Sequence, residues 1–152
     1  MAVASAAGRM AERFSLPCRF GGGSLVMTVS AAGRPLGTGA GGVRYLFLLY
    51  GDAAGEADLP PEQRRAVVEG HIALGRELAA AGTLRLAEAL GDGVRVLRTD
   101  GTVTDGPFAE TKEQLGSVYV VDCASADDAL ALARRMPASP GLTIEIREIQ
   151  EV

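Results

Sequence analysis

The stretch TDGTVTDGPFAETKEQLG, residues 99–116, holds two Asp-Gly pairs five residues apart, then a proline, then a run of charge. The first pair, Asp100-Gly101, lies between VRVLRT (residues 94–99) and TVTD (residues 102–105). Asp and Gly tolerate the positive φ of a type I′ turn, so this spacing predicts a hairpin with a two-residue tip. The second pair reads differently. Pro107 fixes its own φ and turns Gly106 away from the helical region, which predicts a stiff turn. Phe108, apolar between polar neighbours, is expected to anchor that turn against the core. Glu110, Lys112 and Glu113 then bring both signs of charge close to Asp105. A rigid loop of this kind can hold a carboxylate in place for chemistry. It can equally be architecture, with Asp105 capping a turn and residues 110–113 forming a solvated face.

Working outward, VRYLFLLYGD (residues 43–52) is apolar on both faces, as a central or doubly covered strand is. PPEQRRAVVEGHIALGRELAAAG (residues 60–82) reads as a helix, with Pro60 and Pro61 in its first turn and Gly82 just past its last. Val67, His71, Leu74 and Leu78 recur at helical spacing and form one inward stripe, with Glu62, Arg65, Glu69 and Arg76 opposite. The chain's only histidine therefore points inward. TLRLAEAL (residues 83–90), VRVLRT and SVYVVDCA (residues 117–124) are strand candidates. In SADDALALARRMP (residues 125–137), Ser125 is the N-cap with Asp128 three residues on. Ala129, Leu132, Ala133 and Met136 make the inner face of that helix, and Pro137 stops it. LTIEIRE (residues 142–148) alternates Leu142, Ile144 and Ile146 with Thr143, Glu145 and Arg147.

Strand, helix, several strands, helix, strand is the split βαβ order of an α+β, ferredoxin-like unit with an added hairpin. Two helices cover one face of such a sheet. Because residues 43–52 are apolar on both faces, a second copy of the chain is the simplest cover for the other, giving a two-fold homodimer. A monomer covered by its N-terminal segment is the alternative.

A chain of 152 residues fits one domain with a core of its own. With a net charge of −4 and no basic helix, RNP-like strand or zinc spacing, nothing points to a nucleic-acid partner. The longest apolar run, YLFLLY (residues 45–50), is far too short to cross a bilayer, so no membrane partner is expected. Cys18 and Cys123 form neither a disulfide framework nor a metal cluster, a usage that suits a reducing cytoplasm. The glycine cluster GAGG (residues 39–42) precedes a strand, where a phosphate-binding loop would follow one. One histidine and two distant cysteines give no metal set, so neither cofactor nor metal is expected. Residues 1–42 stand apart, rich in Ala, Gly and Ser, with Arg9, Arg13, Arg19 and Arg34 against Glu12. They share the basic, acid-poor character of transit peptides but lack a compact apolar core and a cleavage site. A disordered or appended segment is the expectation, with Met27 as an alternative start, and the folded domain spans residues 43–152.

DGPFAETKE (residues 105–113) resembles the signature after which the DGPFAETKE proteins, a branch of the YCII-related family, are named. RYLFLLYGD resembles that family's opening strand, and the helix carrying His71 resembles its first helix. GSVYVVDCASADDALALARRMP and LTIEIREI resemble its closing strand, helix and strand. The resemblance covers residues 43–152 and leaves residues 1–42 unmatched. It implies a dimeric α+β barrel built from two ferredoxin-like units. It assigns no reaction to most members, many of which are encoded beside sigma factors of the extracytoplasmic-function type, and this implies a regulatory accessory role. A few YCII-related enzymes eliminate chloride from chlorinated hydroquinones, using a histidine on the first helix and an aspartate near the end of the second. His71 matches the first position. The second departs: ARRMPAS (residues 133–139) has Met136-Pro137 where Asp-Pro is expected, so that pair does not carry over intact.

Histidine is the side chain best suited to proton transfer near neutral pH, and a neighbouring carboxylate can fix its tautomer. Asp105 and Glu110 are the candidates for that carboxylate if their loop folds over the first helix. Tyr50 and Lys112 add donors for an anionic substrate oxygen, and Phe108 adds an apolar contact. The structural alternative makes His71 a hydrogen-bonded core residue, with Tyr50 and Tyr119 as ordinary sheet aromatics. Three readings follow. One is a cofactor-free enzyme doing elimination or similar acid–base chemistry on a small organic molecule, with His71 and Asp105 catalytic. Another is a small-ligand-binding or sigma-factor-associated regulatory protein without turnover. The last is a purely structural dimer.

Overall fold

A computed structural model describes residues 42–108 and 111–150, together with the short strands at residues 18–20, 23–25 and 28–30. Glu110 lies outside the described residues, as do Met27 and most of the segment 1–42. The elements in chain order are β1 (Cys18–Phe20), β2 (Gly23–Leu25), β3 (Thr28–Ser30), β4 (Val43–Asp52), α1 (Ala53–Ala57) and α2 (Pro61–Ala80). There follow β5 (Leu84–Ala89), β6 (Arg95–Leu97), β7 (Val103–Asp105), β8 (Glu113–Cys123), α3 (Ala126–Ala133) and β9 (Thr143–Glu148). The main sheet has the order β3-β5-β8-β4-β9, while β1-β2 and β6-β7 are separate two-stranded pairs. Every pairing is antiparallel. The α+β arrangement of β4, β5, β8 and β9 with α2 and α3 is compatible with a ferredoxin-like unit.

The helix ends follow from local chemistry. α2 opens on Pro61, where the missing N–H would have been unpaired anyway, and it closes just before Gly82, whose φ of 71° suits the residue after the C-cap. The Arg64 guanidinium donates to the carbonyls of Ala57 and Leu59 at 2.9 and 3.1 Å, which ties α1 to α2. At the start of α3 the Ser125 hydroxyl accepts from the Asp128 N–H at 3.1 Å and donates to the Asp128 carboxylate at 2.7 Å.

Alternation along the strands divides the sheet into two unlike faces. Toward the helices, Phe47 stands opposite Tyr119 and Tyr45 opposite Val121 across the β4–β8 ladder. Phe47, Tyr119, Val121 and Leu84 are fully buried there, under Leu74 and Leu78 of α2 and Ala129, Leu132, Ala133 and Met136 of α3 and its exit. Each large side chain buried in this way contributes roughly 1.5–3 kcal/mol of transfer free energy. On the opposite face Leu46, Leu48, Leu86, Val118 and Val120 form an apolar patch that is only half-buried. An ion pair between Arg85 and Asp122, at 2.6 Å with side chains 10% and 17% exposed, borders it. Arg44 stands opposite Asp122 in register.

Three expectations need correction. The Asp100-Gly101 hairpin has a three-residue tip, because Leu97 pairs with Val103 and the Arg98 N–H donates to the Thr102 carbonyl at 2.8 Å. Gly101 alone takes up the left-handed conformation, φ 86°, and Asp100 accepts from the Thr102 N–H at 2.9 Å, so a turn plus bulge replaces the mirror-image turn. Phe108 does not anchor anything in the core: it is 78% exposed, with the Arg98 guanidinium 5.9 Å from its ring centre. The charged run is not all loop either, since β8 begins at Glu113. The polar link after β4 also carries the short helix α1, which periodicity did not announce.

Candidate functional site

The α2 stripe lays His71 over the helix-facing side of β8. Its Nδ1 lies 3.0 Å from the hydroxyl of Tyr119, and the two rings are 6.1 Å apart between centres. Tyr119 is fully buried, and burial pushes its phenol up to about 12, so it keeps its proton at any physiological pH. Burial pulls the His71 imidazole below its ordinary value of 6.5, which leaves the ring neutral at neutral pH. Every buried side-chain nitrogen or oxygen among the described residues has a hydrogen-bond partner. Nε2 of His71 has none and therefore reaches solvent. If the Tyr119 hydroxyl donates to Nδ1, Nε2 carries a proton it can give. If Nδ1–H donates to the tyrosine oxygen, Nε2 is a free base.

The exit of α3 closes on α2 beside this pair. A Cβ placed on Gly70, the neighbour of His71, would meet Pro137 Cγ at 2.9 Å, and Met136 is buried in the core. The carboxylate that the resemblance pairs with the helix histidine has no counterpart here. The position holds a thioether, and the hydroxyl of Tyr119 is what His71 finds instead.

Tyr50 and Lys112 come together elsewhere. An open cleft of about 690 Å³ at the end of the main sheet is lined by Tyr50, Thr111, Lys112, Glu113, Thr143, Ile144 and Glu145. It forms because the last residue of β4 pairs with the first of β8, Asp52 with Glu113. The Tyr50 hydroxyl donates to Glu145 at 3.3 Å, and the Arg147 guanidinium holds the other oxygen of that carboxylate at 2.5 Å. Desolvation and then the Glu145 charge raise the Tyr50 phenol above its ordinary value. Tyr50 alternates with Leu49 along β4, so its side chain stands on the face away from His71.

Asp105 stands in a third place. It closes the β6–β7 hairpin, exposed to solvent, with its carboxylate 3.3 Å from the Arg95 guanidinium. Gly106, at φ 103°, donates its N–H to the Val94 carbonyl at 2.9 Å and seals the hairpin base. Within the chain, then, His71, Asp105 and the Tyr50–Lys112 cleft are separate, and Phe108 faces solvent. Tyr119 and Glu145 are the partners that sequence reasoning did not single out. Tyr119 lies 48 residues from His71, and its only signal was its place on the apolar period of its strand. Among the described residues no three His, Cys, Asp or Glu side chains converge as a metal would require, and no helix is long and apolar enough to cross a membrane.

The YCII-related domain family matches residues 43–152. An uncharacterized protein of Rhizobium meliloti (strain 1021) is 38% identical over 95 residues, which cover 59% of this chain and 77% of that relative.

Proposed function

The chain belongs to the YCII-related domain family, and from that premise we propose that it carries out cofactor-free acid–base chemistry on a small organic molecule, as a two-fold homodimer. The observation that carries the reading is the lone histidine: neutral through burial, steered at Nδ1 by Tyr119, and open to solvent at Nε2. A base with a lowered pKa is fully deprotonated at neutral pH, but it is weak. It suits a substrate whose own proton is acidic, such as a phenol or a carbon acid beside a carbonyl. The proton passes to Nε2 and returns to the substrate or to the leaving group. Tyr119, protonated up to about 12, accepts from Nδ1–H in both states of the ring and so keeps Nε2 as the nitrogen that takes and returns the proton. Among the described residues no carboxylate pairs with His71, which keeps the imidazolium short-lived in a half-buried setting.

The half-buried aliphatic patch of Leu46, Leu48, Leu86, Val118 and Val120 supports the dimer, because a second sheet laid on it would remove it from water. Binding without turnover is the second reading. The Tyr50–Lys112 cleft favours it, having donors and a cation but no histidine.

One titration separates the two. The His71 imidazole is followed by NMR against pH and against a panel of small phenols and organic acids, in wild type and in Tyr119→Phe. A lowered pKa, shifts at His71 on ligand addition and substrate consumption support acid–base chemistry. Shifts confined to the cleft with no consumption support the binder. An imidazole that neither titrates nor senses any ligand makes it a structural core residue and removes the enzyme reading.

A further inference from the structure

We propose that the β6–β7 hairpin is a docking arm for a second copy of the chain, lapping Leu97 and Val103 onto the partner subunit at the rim of the sheet-to-sheet interface. The inference rests on the two-fold dimer proposed above. Four of the six large apolar side chains exposed among the described residues lie on or beside this arm: Val94, Leu97, Val103 and Phe108. Scattered single exposures need no explanation, but a cluster on one small element does. Leu97 and Val103 face each other directly in register, 72% and 59% exposed, with the Arg95–Asp105 pair on the same side of the ribbon. Neither strand of the arm hydrogen-bonds to the main sheet. An isolated two-stranded ribbon is marginal in water, so one that presents an aliphatic pair outward gains most from a surface to lie on.

The size of the sheet patch points to the occupant. Five half-buried aliphatic side chains leave on the order of 300 Å² of apolar surface to lose, well short of the ~800 Å² per partner of a standard stable interface. The arm supplies the missing kind of area at the right place. It leaves the sheet where Leu90 N–H donates to the Gly116 carbonyl at 2.8 Å, next to the Ala89–Ser117 and Leu49–Ser117 pairings that end the patch. Packing two such faces about a two-fold axis sets each arm's root at the edge of the interface, and each arm then lies on the other protomer. Pro107 and the Gly106 N–H bond to Val94 hold the arm's base in a fixed direction. Its charges, Asp92, Asp100 and Asp105 against Arg95 and Arg98, disfavour nucleic acid or an anionic membrane as the occupant.

The test compares dimer dissociation constants by sedimentation across a dilution series for wild type, the double variant Leu97→Ser/Val103→Ser, and the sheet-face variant Leu48→Glu. The arm variant should raise the constant at least about tenfold with circular dichroism unchanged, and Leu48→Glu should dissociate the dimer. An arm variant that dimerises like wild type, while Leu48→Glu does not, overturns the arm and leaves the dimer standing. A wild-type chain that is monomeric at every concentration removes the dimer, and the arm's role with it. Should the double variant lose its fold, Leu97→Lys alone gives the same reading.

Discussion

Nδ1 of His71 and the hydroxyl of Tyr119 meet at 3.0 Å across the α2–β8 contact, with the tyrosine fully buried and the histidine only half so. The two groups are desolvated together, and their ionisations move in opposite directions. The imidazole resists gaining a proton and the phenol resists losing one, so the pair stays neutral over a wide range of pH.

The acid side follows from His71. Its folded-state pKa lies below the ordinary 6.5. Above pH 6.5 neither state holds the proton and stability is at its full value. As pH falls below 6.5 the unfolded chain binds a proton that the folded one refuses, and stability drops until the folded pKa is passed. Urea unfolding midpoints measured between pH 8 and pH 4.5 should show this loss in wild type, and it should be absent from His71→Gln. Identical pH profiles for the two proteins would sink the claim that burial holds this ring neutral.

The alkaline side belongs to Tyr119, pushed up from 10.0 to about 12. A raised acid gives the opposite window: stability is intact below pH 10 and falls as pH rises toward 12, because the unfolded phenol ionises first. Two pKa units correspond to on the order of 2–3 kcal/mol. Tyr119→Phe should start about 1 kcal/mol less stable at pH 7, through the lost hydrogen bond, and then lack that alkaline decline. Ultraviolet titration at 295 nm of wild type and Tyr119→Phe provides the independent check, since a phenol that ionises near pH 10 in the folded wild type and is missing from the variant contradicts the assignment.

How much of this was legible in the sequence depends on the range of the interaction. Leu74 and Leu78 of the α2 stripe are buried as their spacing requires, Glu62, Arg65, Glu69 and Arg76 face water, and Ser125 caps α3 as its position implied. All of these are set within one or two turns of chain. Tyr119 could not be paired with His71 in advance, because that contact needs the register of β8 and the seat of α2 at once. Phe108 misled because an apolar residue between polar neighbours signals a buried anchor only if its segment touches the core. The hairpin base turns it outward. Asp100 accepting from Thr102 settles the tip with one more residue than an Asp-Gly pair suggests. Tyr50 and Lys112 were paired on chemistry alone, and they do line one cleft, through the Asp52–Glu113 end of the β4–β8 ladder.

Gly70→Ala tests the junction beside His71. Alanine inside a helix normally stabilises by about 1 kcal/mol over glycine. Here the added Cβ would sit 2.9 Å from Pro137 Cγ and 3.3 Å from its Cβ, so α2 or the α3 exit must give way. Overpacking of this kind costs roughly 1–3 kcal/mol, and the expected net effect is a loss of about 1 kcal/mol with a displaced His71 ring resonance. A variant that is more stable than wild type would show that the two elements do not close on each other at this point.

The two ion pairs on the open sheet face should respond unequally to removal. Arg85 and Asp122 meet at 2.6 Å with side chains 10% and 17% exposed, whereas Arg147 and Glu145 meet at 2.5 Å with side chains 66% and 37% exposed. Water and salt screen the second pair, so Arg147→Ala should change stability by no more than about 0.5 kcal/mol, and by less still at high ionic strength. Asp122→Asn keeps the shape of the first pair but leaves the Arg85 guanidinium poorly solvated without its counter-charge, at a cost of about 1–3 kcal/mol. Denaturant midpoints in 0.05 and 1 M NaCl measure both. Equal losses for the two variants, or a loss in Asp122→Asn that salt abolishes, would mean that the Arg85 pair is effectively at the surface and does not help to fix where β5 meets β8.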